Sequence, residues 1–111
     1  MNLIVGPNHL SGEIAVPGSK SHTIRAVAMG MMADGVTRIH APLLSEDSMA
    51  AVRAATLFGA AVDRGDDSCW SVTGTGGKLL NPGKTVDMAN SGTSIKIFAG
   101  LASLLSFPVS F

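Results

Sequence analysis

The sequence predicts an α/β fold, or an α+β fold in some classifications, in which helices cover a sheet. Stretches with an apolar residue at every second position alternate along the chain with stretches where apolar residues recur every three or four positions. Hydrophobic residues make up 46% of the 111 positions and charged residues only 14%, so a buried core is expected rather than disorder. A chain of this length is typical of about one domain.

Four short strands are predicted in the first part of the chain. Alternating apolar and polar positions indicate them, and the breaker pair Pro17-Gly18 and the turn-rich "GDDS" mark two of their ends. The predicted strands are Glu13–Pro17, Val36–His40, Ala61–Arg64 and Cys69–Thr73.

Two helices are predicted between these strands. The first covers about Ser21–Ala33 and is capped by Ser19 or Ser21. The second begins at about Ser45, with two acidic residues in its first turn, where the helix dipole favours them. Its predicted inner stripe is Met49, Val52, Thr56 and Gly59. Together these elements give the order βαβαββ over about residues 12–75.

A second, truncated unit is predicted over about residues 85–111. It would hold a strand at Val86–Met88, a helix at about Thr93–Leu105, and a strand-like end, "FPVSF". Because an apolar strand end needs a neighbour to cover it, the sequence is expected to be part of a longer protein. The alternative is a complete small domain whose last strand joins its own sheet.

Two stretches share a pattern that suits an anion. Small and hydroxyl residues open a helix, and a cation follows within its first turns: Ser19-Lys20-Ser21 with Arg25, and Asn90-Ser91-Gly92-Thr93 with Lys96. Free N–H groups at a helix start attract phosphate or carboxylate, and Lys or Arg adds charge. Ordinary capping with exposed cations is the alternative for either stretch. Asp47 either complements its helix dipole or belongs to such a site.

Two better-known phosphate motifs are excluded by spacing. A P-loop needs Gly directly before its Lys, whereas Ser19 precedes Lys20 here. The stretch "GTGGK" matches only the first two glycines of a dinucleotide fingerprint, because Leu79 stands at the third place and no helix is predicted after it. A turn is the better interpretation of "GTGGK".

Composition argues against several other classes of function. Eight Lys+Arg balance eight Asp+Glu, so the charge does not favour nucleic acid or a membrane surface as a partner. The three histidines lack ligand spacing, so no metal site is predicted, and no cofactor is indicated. Cys69 is the single cysteine, which excludes a disulfide framework. Without a signal-like start or a bilayer-spanning stretch, the expected location is the cytoplasm.

Two segments carry a likeness to a known family: "LSGEIAVPGSKSHTIRAVAMGMMADGVTRIHAPLLSEDS" and the later "ANSGTSIK". Through them the chain resembles the N-terminal part of the 5-enolpyruvylshikimate-3-phosphate synthase family. The likeness runs from about Leu10 to Phe111, and "PGSKS" is its most specific part. It implies a fold of two lobes built from βαβαββ units, with substrates in the cleft between the lobes. This chain would supply one unit and the start of another, and residues 1–11 would include a strand that crosses to the other lobe.

The resemblance also implies an enolpyruvyl transferase of the shikimate pathway, which leads to aromatic amino acids. The family reaction moves the enolpyruvyl group of phosphoenolpyruvate to the 5-hydroxyl of shikimate 3-phosphate and releases phosphate. Such chemistry needs cations around phosphates and a carboxylate, plus an acid/base pair. These two small molecules are the implied partners, and a complete cleft would need the remainder of the enzyme.

Site residues follow from the resemblance position by position. Lys20 and Asp47 are expected to be catalytic, with Lys20 also contacting phosphoenolpyruvate. Ser21 and Arg25 are expected to hold shikimate 3-phosphate. The expected lining of the phosphoenolpyruvate side is Asn90, Ser91, Gly92, Thr93 and Lys96. The absence of a side chain at Gly92 would leave room for the herbicide glyphosate.

One position departs from the family pattern, and two alternatives stay open. The family usually has Arg where this chain has Lys96, and Lys lacks the two-pronged guanidinium, so altered phosphoenolpyruvate binding is expected. The related UDP-N-acetylglucosamine enolpyruvyl transferases match less well, since they typically carry Gly-Ala-Lys-Asn in place of Gly18-Ser19-Lys20-Ser21. The other alternative is a non-catalytic module that binds anions or a partner. The 111 residues alone are expected to be inactive.

Overall fold

The computed structural model describes residues 1–111 and contains three helices and three strands. In chain order the elements are α1 (Lys20–Met32), β1 (Val36–His40), α2 (Glu46–Leu57), β2 (Ala61–Asp63), β3 (Cys69–Thr73) and α3 (Gly92–Ala102). Each helix follows a serine N-cap whose side chain accepts a main-chain N–H of the first turn; the caps are Ser19, Ser45 and Ser91. Of the two caps considered for α1, Ser19 is therefore the one used.

The strands form one antiparallel sheet in the order β1-β3-β2. Strand β3 lies in the middle, so Ser71 faces Arg38 on one side and Asp63 on the other. Trp70 and Val72, which alternate with Ser71, are completely buried, and α1 and α2 contact the strands. Helices thus cover the sheet, which confirms the predicted α/β class, and the antiparallel pairing suits the α+β description.

The turn of residues 64–68 between β2 and β3 is fixed by side chains of its own. Asp67 has a left-handed φ of 66°, and its carboxylate accepts a hydrogen bond from the indole N–H of Trp70 at 2.9 Å. The Ser68 hydroxyl and the Ser68 main-chain N–H both donate to the Asp66 carboxylate. These bonds, the hydroxyl's the more strongly, hold the pKa of that exposed carboxyl below its usual value. These bonds set the hairpin that places Trp70 in the core.

The core lies between the sheet and the helices. Helices α1 and α2 pack on each other, and α3 packs on both. The inner face of α2 is built largely from completely buried alanines, which let its neighbours approach closely: Ala50, Ala51, Ala54 and Ala55. Phe58, directly after α2, stacks on Phe98 of α3 with ring centroids 6.1 Å apart. This stack fastens α3 to the rest of the molecule.

The strand predicted at Glu13–Pro17 is wrong. The segment has no regular structure and joins no strand of the sheet. Ile14 and Val16 are 89% and 80% exposed, so the alternation that predicted the strand has no partner to pack against. The first unit therefore appears here with the order α1-β1-α2-β2-β3, and its division from a second unit stays a prediction.

The two strands predicted near the end of the chain are wrong as well. The segments 86–88 and 107–111 are joined by a single main-chain bond, from the Val86 N–H to the Ser110 carbonyl at 2.8 Å. A single bond does not make a ladder, and Pro108 has no N–H to extend it. Val86 is nevertheless completely buried.

The other predicted strands and helices differ from the structure only at their ends, but the predicted buried face of α2 is partly wrong. The strands Val36–His40 and Cys69–Thr73 are confirmed, whereas α3 ends at Ala102 rather than Leu105. The predicted inner stripe of α2 is wrong at Thr56 and Gly59, which are exposed. Gly59 lies beyond the end of the helix, and alanines form most of its buried face in place of Thr56.

The Phe58–Phe98 stack gives a test of how α3 is held. Replacing Phe98, which is completely buried, by Ala should lower the free energy of unfolding by about 3 kcal/mol, because it leaves a cavity between α2 and α3. Chemical denaturation measures the change. The control Leu104→Ala, at a 78% exposed side chain, should change it by less than about 0.5 kcal/mol. Equal effects of the two substitutions would show that α3 does not pack as described.

Candidate functional site

The starts of α1 and α2 meet through an ion pair. Lys20 is the first residue of α1, and its ammonium group lies 2.7 Å from a carboxylate oxygen of Asp47 in the first turn of α2. The Lys20 side chain is 47% exposed and that of Asp47 is 23% exposed. An ion pair open to water adds little to stability, so its interest lies in the ammonium and carboxylate it presents at the surface.

The start of α3 also contacts Asp47, at the main-chain carbonyl of that residue. The hydroxyl of Ser94, in the first turn of α3, donates to the Asp47 carbonyl at 3.2 Å. The Ser91 hydroxyl donates to Ser94 Oγ at 2.7 Å and accepts from the Ser94 N–H at 3.2 Å. Asp47 therefore contacts both neighbouring helix starts, Lys20 with its side chain and Ser94 with its main chain.

A second bridge, through the Leu43 peptide groups, joins α1 and α2. The Leu43 N–H donates to Thr23 Oγ1 at 2.9 Å, and that hydroxyl donates to the Ser19 carbonyl at 2.9 Å. The Leu43 carbonyl accepts from the Ser48 hydroxyl at 2.7 Å. The segment before α2 is therefore hydrogen-bonded to the start of each helix.

The buried polar side chains of the protein are all part of these bridges. Four polar residues are buried, and we call them the hydroxyl network: Thr23, Ser48, Ser91 and Ser94. Each lies at an N-cap or in the first turn or so of a helix, and no buried side-chain nitrogen or oxygen lacks a hydrogen-bond partner. The network holds the starts of α1, α2 and α3 together, so their free N–H groups and positive dipole ends share one region.

Gly18 is required where the loop before α1 meets the segment before α2. A Cβ atom at this position would lie within van der Waals overlap of the Ala41 carbonyl and 3.1 Å from the Leu43 nitrogen. Ala41 itself has a left-handed φ of 48°, so this segment has little freedom to move away. The close approach keeps Lys20 beside α2.

Two of the remaining predicted residues, Ser21 and Arg25, lie one turn apart on α1, and Ser21 is partly buried. Arg25 is exposed, and its guanidinium donates to the Ser21 carbonyl at 3.2 Å. Arg25 forms no ion pair with a carboxylate, so its charge is available to an external anion. It also borders an open, apolar groove of about 460 Å³ between α1 and α3, lined by Ala28, Met29, Met32, Ala33, Ile97 and Leu101.

The residues predicted around the start of α3 differ in what they offer a ligand. Asn90, Gly92 and Lys96 are exposed, and a Cβ added at Gly92 would meet no atom within 4 Å. Lys96, like Arg25, forms no ion pair. Both the hydroxyl and the N–H of Ser91 are used inside the protein, the N–H by the Met88 carbonyl at 3.0 Å. Ser91 therefore holds the loop, and its predicted contact with substrate has no free donor.

Three residues of the site were missed by the sequence analysis: Thr23, Ser48 and Ser94. A signal for two of them exists, because the caps Ser45 and Ser91 are each followed by another serine three positions on. This is the spacing of a capping box, and α2 forms one with both bonds present. The bonds that Ser48 and Ser94 make outside their own turns carry no local sequence signal.

Comparison with known proteins identifies the family. The family model that describes EPSP synthase (3-phosphoshikimate 1-carboxyvinyltransferase) matches residues 4–111 of the sequence. A 3-phosphoshikimate 1-carboxyvinyltransferase of Methanothermobacter thermautotrophicus is 40% identical over 96 residues, which cover 86% of this chain and 22% of that protein. The chain belongs to the EPSP synthase family.

Other EPSP synthases agree with this assignment. A protein of the same name from Methanocorpusculum labreanum is 41% identical over 114 aligned positions, covering 100% of this chain and 26% of its own length. The solved structure of EPSP synthase from Acinetobacter baumannii matches with a TM-score of 0.77 at 31% identity, over 83% of this chain and 21% of that chain. The predicted membership is confirmed, and the chain spans about a quarter of the length of the EPSP synthases it matches. None of its helices is long and apolar enough to cross a membrane.

The close approach at Gly18 gives a test with two glycines of opposite behaviour. Gly18→Ala should lower the free energy of unfolding by about 2 kcal/mol, because the new methyl group must displace the Ala41 carbonyl. Gly100→Ala, inside α3 with open space around it, should instead raise stability by about 0.5 kcal/mol through helix propensity. Thermal or chemical denaturation measures both. A neutral or stabilising Gly18→Ala would contradict the packing of this loop.

Proposed function

We propose that the joined starts of α1, α2 and α3 form one side of a site for enolpyruvyl transfer. The group would pass from phosphoenolpyruvate to the 5-hydroxyl of shikimate 3-phosphate, in the pathway to aromatic amino acids. The names of the matched relatives support this, since they describe a carboxyvinyl transferase acting on 3-phosphoshikimate. The observation that carries the proposal is the position of Asp47, which contacts Lys20 and Ser94 and so ties both anion loops to one point.

The charge of the site suits these substrates. Each substrate carries a phosphate and a carboxylate, which need cations and N–H donors around them. Lys20, Arg25 and Lys96 supply three positive charges around the helix starts, and Asp47 contributes one negative charge. The nearby Glu46 pairs with Arg53 at 2.9 Å, so the excess charge facing a ligand is positive.

Lys20 and Asp47 are assigned to the reacting centre. In the proposed reaction the methylene carbon of phosphoenolpyruvate gains a proton and the 5-hydroxyl oxygen bonds to the adjacent carbon, losing its own proton. The resulting tetrahedral intermediate then loses phosphate from that carbon and a proton from the new methyl group, which restores the double bond. The Lys20 ammonium group can donate a hydrogen bond or a proton to this centre, and Asp47, at 2.7 Å, orients it and can take up a proton.

The other residues are assigned to binding. Ser21 and Arg25 would hold shikimate 3-phosphate, and their side-by-side placement on α1 supports a shared ligand. Asn90, Gly92 and Thr93 would line the phosphoenolpyruvate side, followed by Lys96 as a single-point cation in place of the usual Arg. Ser91 contributes by holding this loop. The open space at Gly92 suits a ligand close to the main chain, glyphosate included.

A binding site without turnover is the alternative for these 111 residues by themselves. The half-exposed Lys20 and the exposed Arg25 and Lys96 favour it, because an open surface does not exclude water or fix two substrates against each other. We therefore expect the isolated chain to bind the substrates and not to convert them. The expected location in the cytoplasm stays a prediction.

Binding of the two substrates tests the assignments separately. Phosphoenolpyruvate and shikimate 3-phosphate would each be titrated into the 111-residue chain, followed by NMR chemical shifts. Lys20→Ala should weaken binding of phosphoenolpyruvate about tenfold, and Arg25→Ala that of shikimate 3-phosphate by a similar factor, because each loses one charged hydrogen bond. The control Arg38→Ala removes an exposed cation from the sheet and should change neither affinity.

Two outcomes would overturn the proposal. Equal affinities of the wild type, Lys20→Ala and Arg25→Ala for both substrates would remove the site from this surface. Release of phosphate from the mixed substrates by the isolated chain, followed with a phosphate assay, would show that these residues suffice for turnover and would contradict the one-sided site. The Arg38→Ala variant serves as the control in both measurements.

A further inference from the structure

Ser94 is a completely buried residue with no place among the predicted substrate contacts. Its hydroxyl accepts from the Ser91 hydroxyl at 2.7 Å and donates to the Asp47 carbonyl at 3.2 Å. The first bond belongs to the start of α3, which presents Asn90, Gly92 and Thr93. The second reaches the residue whose carboxylate holds Lys20 at 2.7 Å. The Ser94 hydroxyl therefore links the loop at the start of α3 to the Lys20–Asp47 pair, both of which are proposed to contact substrate.

Ser94 is the helical residue whose hydroxyl donates to another helix, whereas Ser48 donates to Leu43 in the segment before its own helix. The hydroxyls of Thr23, Thr56 and Ser103 each donate to a carbonyl three or four residues earlier, within their own helix or at its cap. Ser94 donates across 47 positions of sequence to a different helix. A donor used in this way fixes one helix start relative to another rather than the turn that carries it.

We propose that Ser94 is a positioning residue for the site. It sets the α3 loop against Asp47, so that the loop and the Lys20–Asp47 pair keep one separation. This inference rests on the proposed function, because it assumes a ligand that contacts both the loop and Lys20. Without the hydroxyl, the loop loses its direct bond to Asp47 and moves more freely relative to the pair, and such a ligand must restrict that motion when it binds.

The test compares two serines, Ser94 in the first turn of α3 and Ser103 at its C-cap. Ser94→Ala removes the bond to Asp47, and the control Ser103→Ala removes an exposed hydroxyl that bonds only to Gly100 of the same helix. With phosphoenolpyruvate as the probe, Ser94→Ala should weaken binding about fivefold and Ser103→Ala should leave it unchanged. Ser94→Thr, which keeps the hydroxyl, should recover most of the affinity. Circular dichroism confirms that each variant is folded.

A double-mutant cycle separates positioning from general destabilisation. In the Lys20→Ala background, a ligand no longer bridges the loop and Lys20, so Ser94→Ala should weaken binding by less than twofold. The same fivefold loss in both backgrounds would overturn the proposal, because it would place the effect of Ser94 in the α3 loop alone. An unchanged affinity of Ser94→Ala in the wild-type background would overturn it as well.

A measurement without ligand distinguishes failure of this inference from failure of the proposed function. In the free chain, Ser94→Ala should shift the NMR resonances of the Asp47 carbonyl carbon and of the Lys20 ammonium group, and Ser103→Ala should shift neither. If phosphoenolpyruvate does not bind the wild type but these shifts occur, the proposed function fails and the coupling through Ser94 stands. If Ser94→Ala shifts only its own helix, the inference fails whatever the chain binds.

Discussion

Bringing helix starts together depends on giving the polar groups buried between them hydrogen-bond partners within the protein. Where the starts of α1, α2 and α3 meet, four hydroxyl side chains are buried and cannot be satisfied by water: Thr23, Ser48, Ser91 and Ser94. An unpaired buried group costs about 1–3 kcal/mol, so several of them would outweigh much of the stability of a small domain. The hydroxyl network pairs these groups with main-chain partners: Ser48 bonds the Leu43 carbonyl, Thr23 the Leu43 N–H, and Ser94 the Asp47 carbonyl.

The rest of the structure fits around this arrangement. The alanines of α2 keep that helix thin enough for α1 and α3 to approach it, and the Phe58–Phe98 stack holds the middle of α3. Gly18 lets the loop before α1 lie directly on the segment before α2. The result is a surface where Lys20 and Asp47 are side by side, while the core beneath them has no unpaired side-chain polar atom.

Sequence reasoning predicted what local patterns specify. The periodicity of α1 and the alternation of Val36–His40 and Cys69–Thr73 depend on neighbours along the chain, and these elements form as predicted. The pattern at Glu13–Pro17 is equally regular, but a strand also needs a partner, and no strand of the sheet lies beside this segment. A pattern along one segment carries no information about its partner.

For the site, too, the sequence predicted some residues and missed others. Family resemblance brought Lys20 and Asp47 into one hypothesis, and the structure places them in contact. It also included Ser91, whose hydroxyl and N–H are both used within the protein. Ser94 was missed, because its bond to Asp47 joins residues 47 positions apart and involves a main-chain carbonyl that every residue possesses. Such contacts become visible only when the helices are placed in space.

Native-state hydrogen exchange measures most directly whether the hydroxyl network holds the three helix starts together. The amide hydrogens to follow are those of Leu43, Ser48 and Ser94, each of which donates to a network hydroxyl or to the Ser45 cap. These amides should exchange with the same opening free energy as amides in the middle of α1 and α2, since the helix starts separate only when the core unfolds. Exchange of these three amides at a much lower free energy, while the helix centres stay protected, would contradict this expectation.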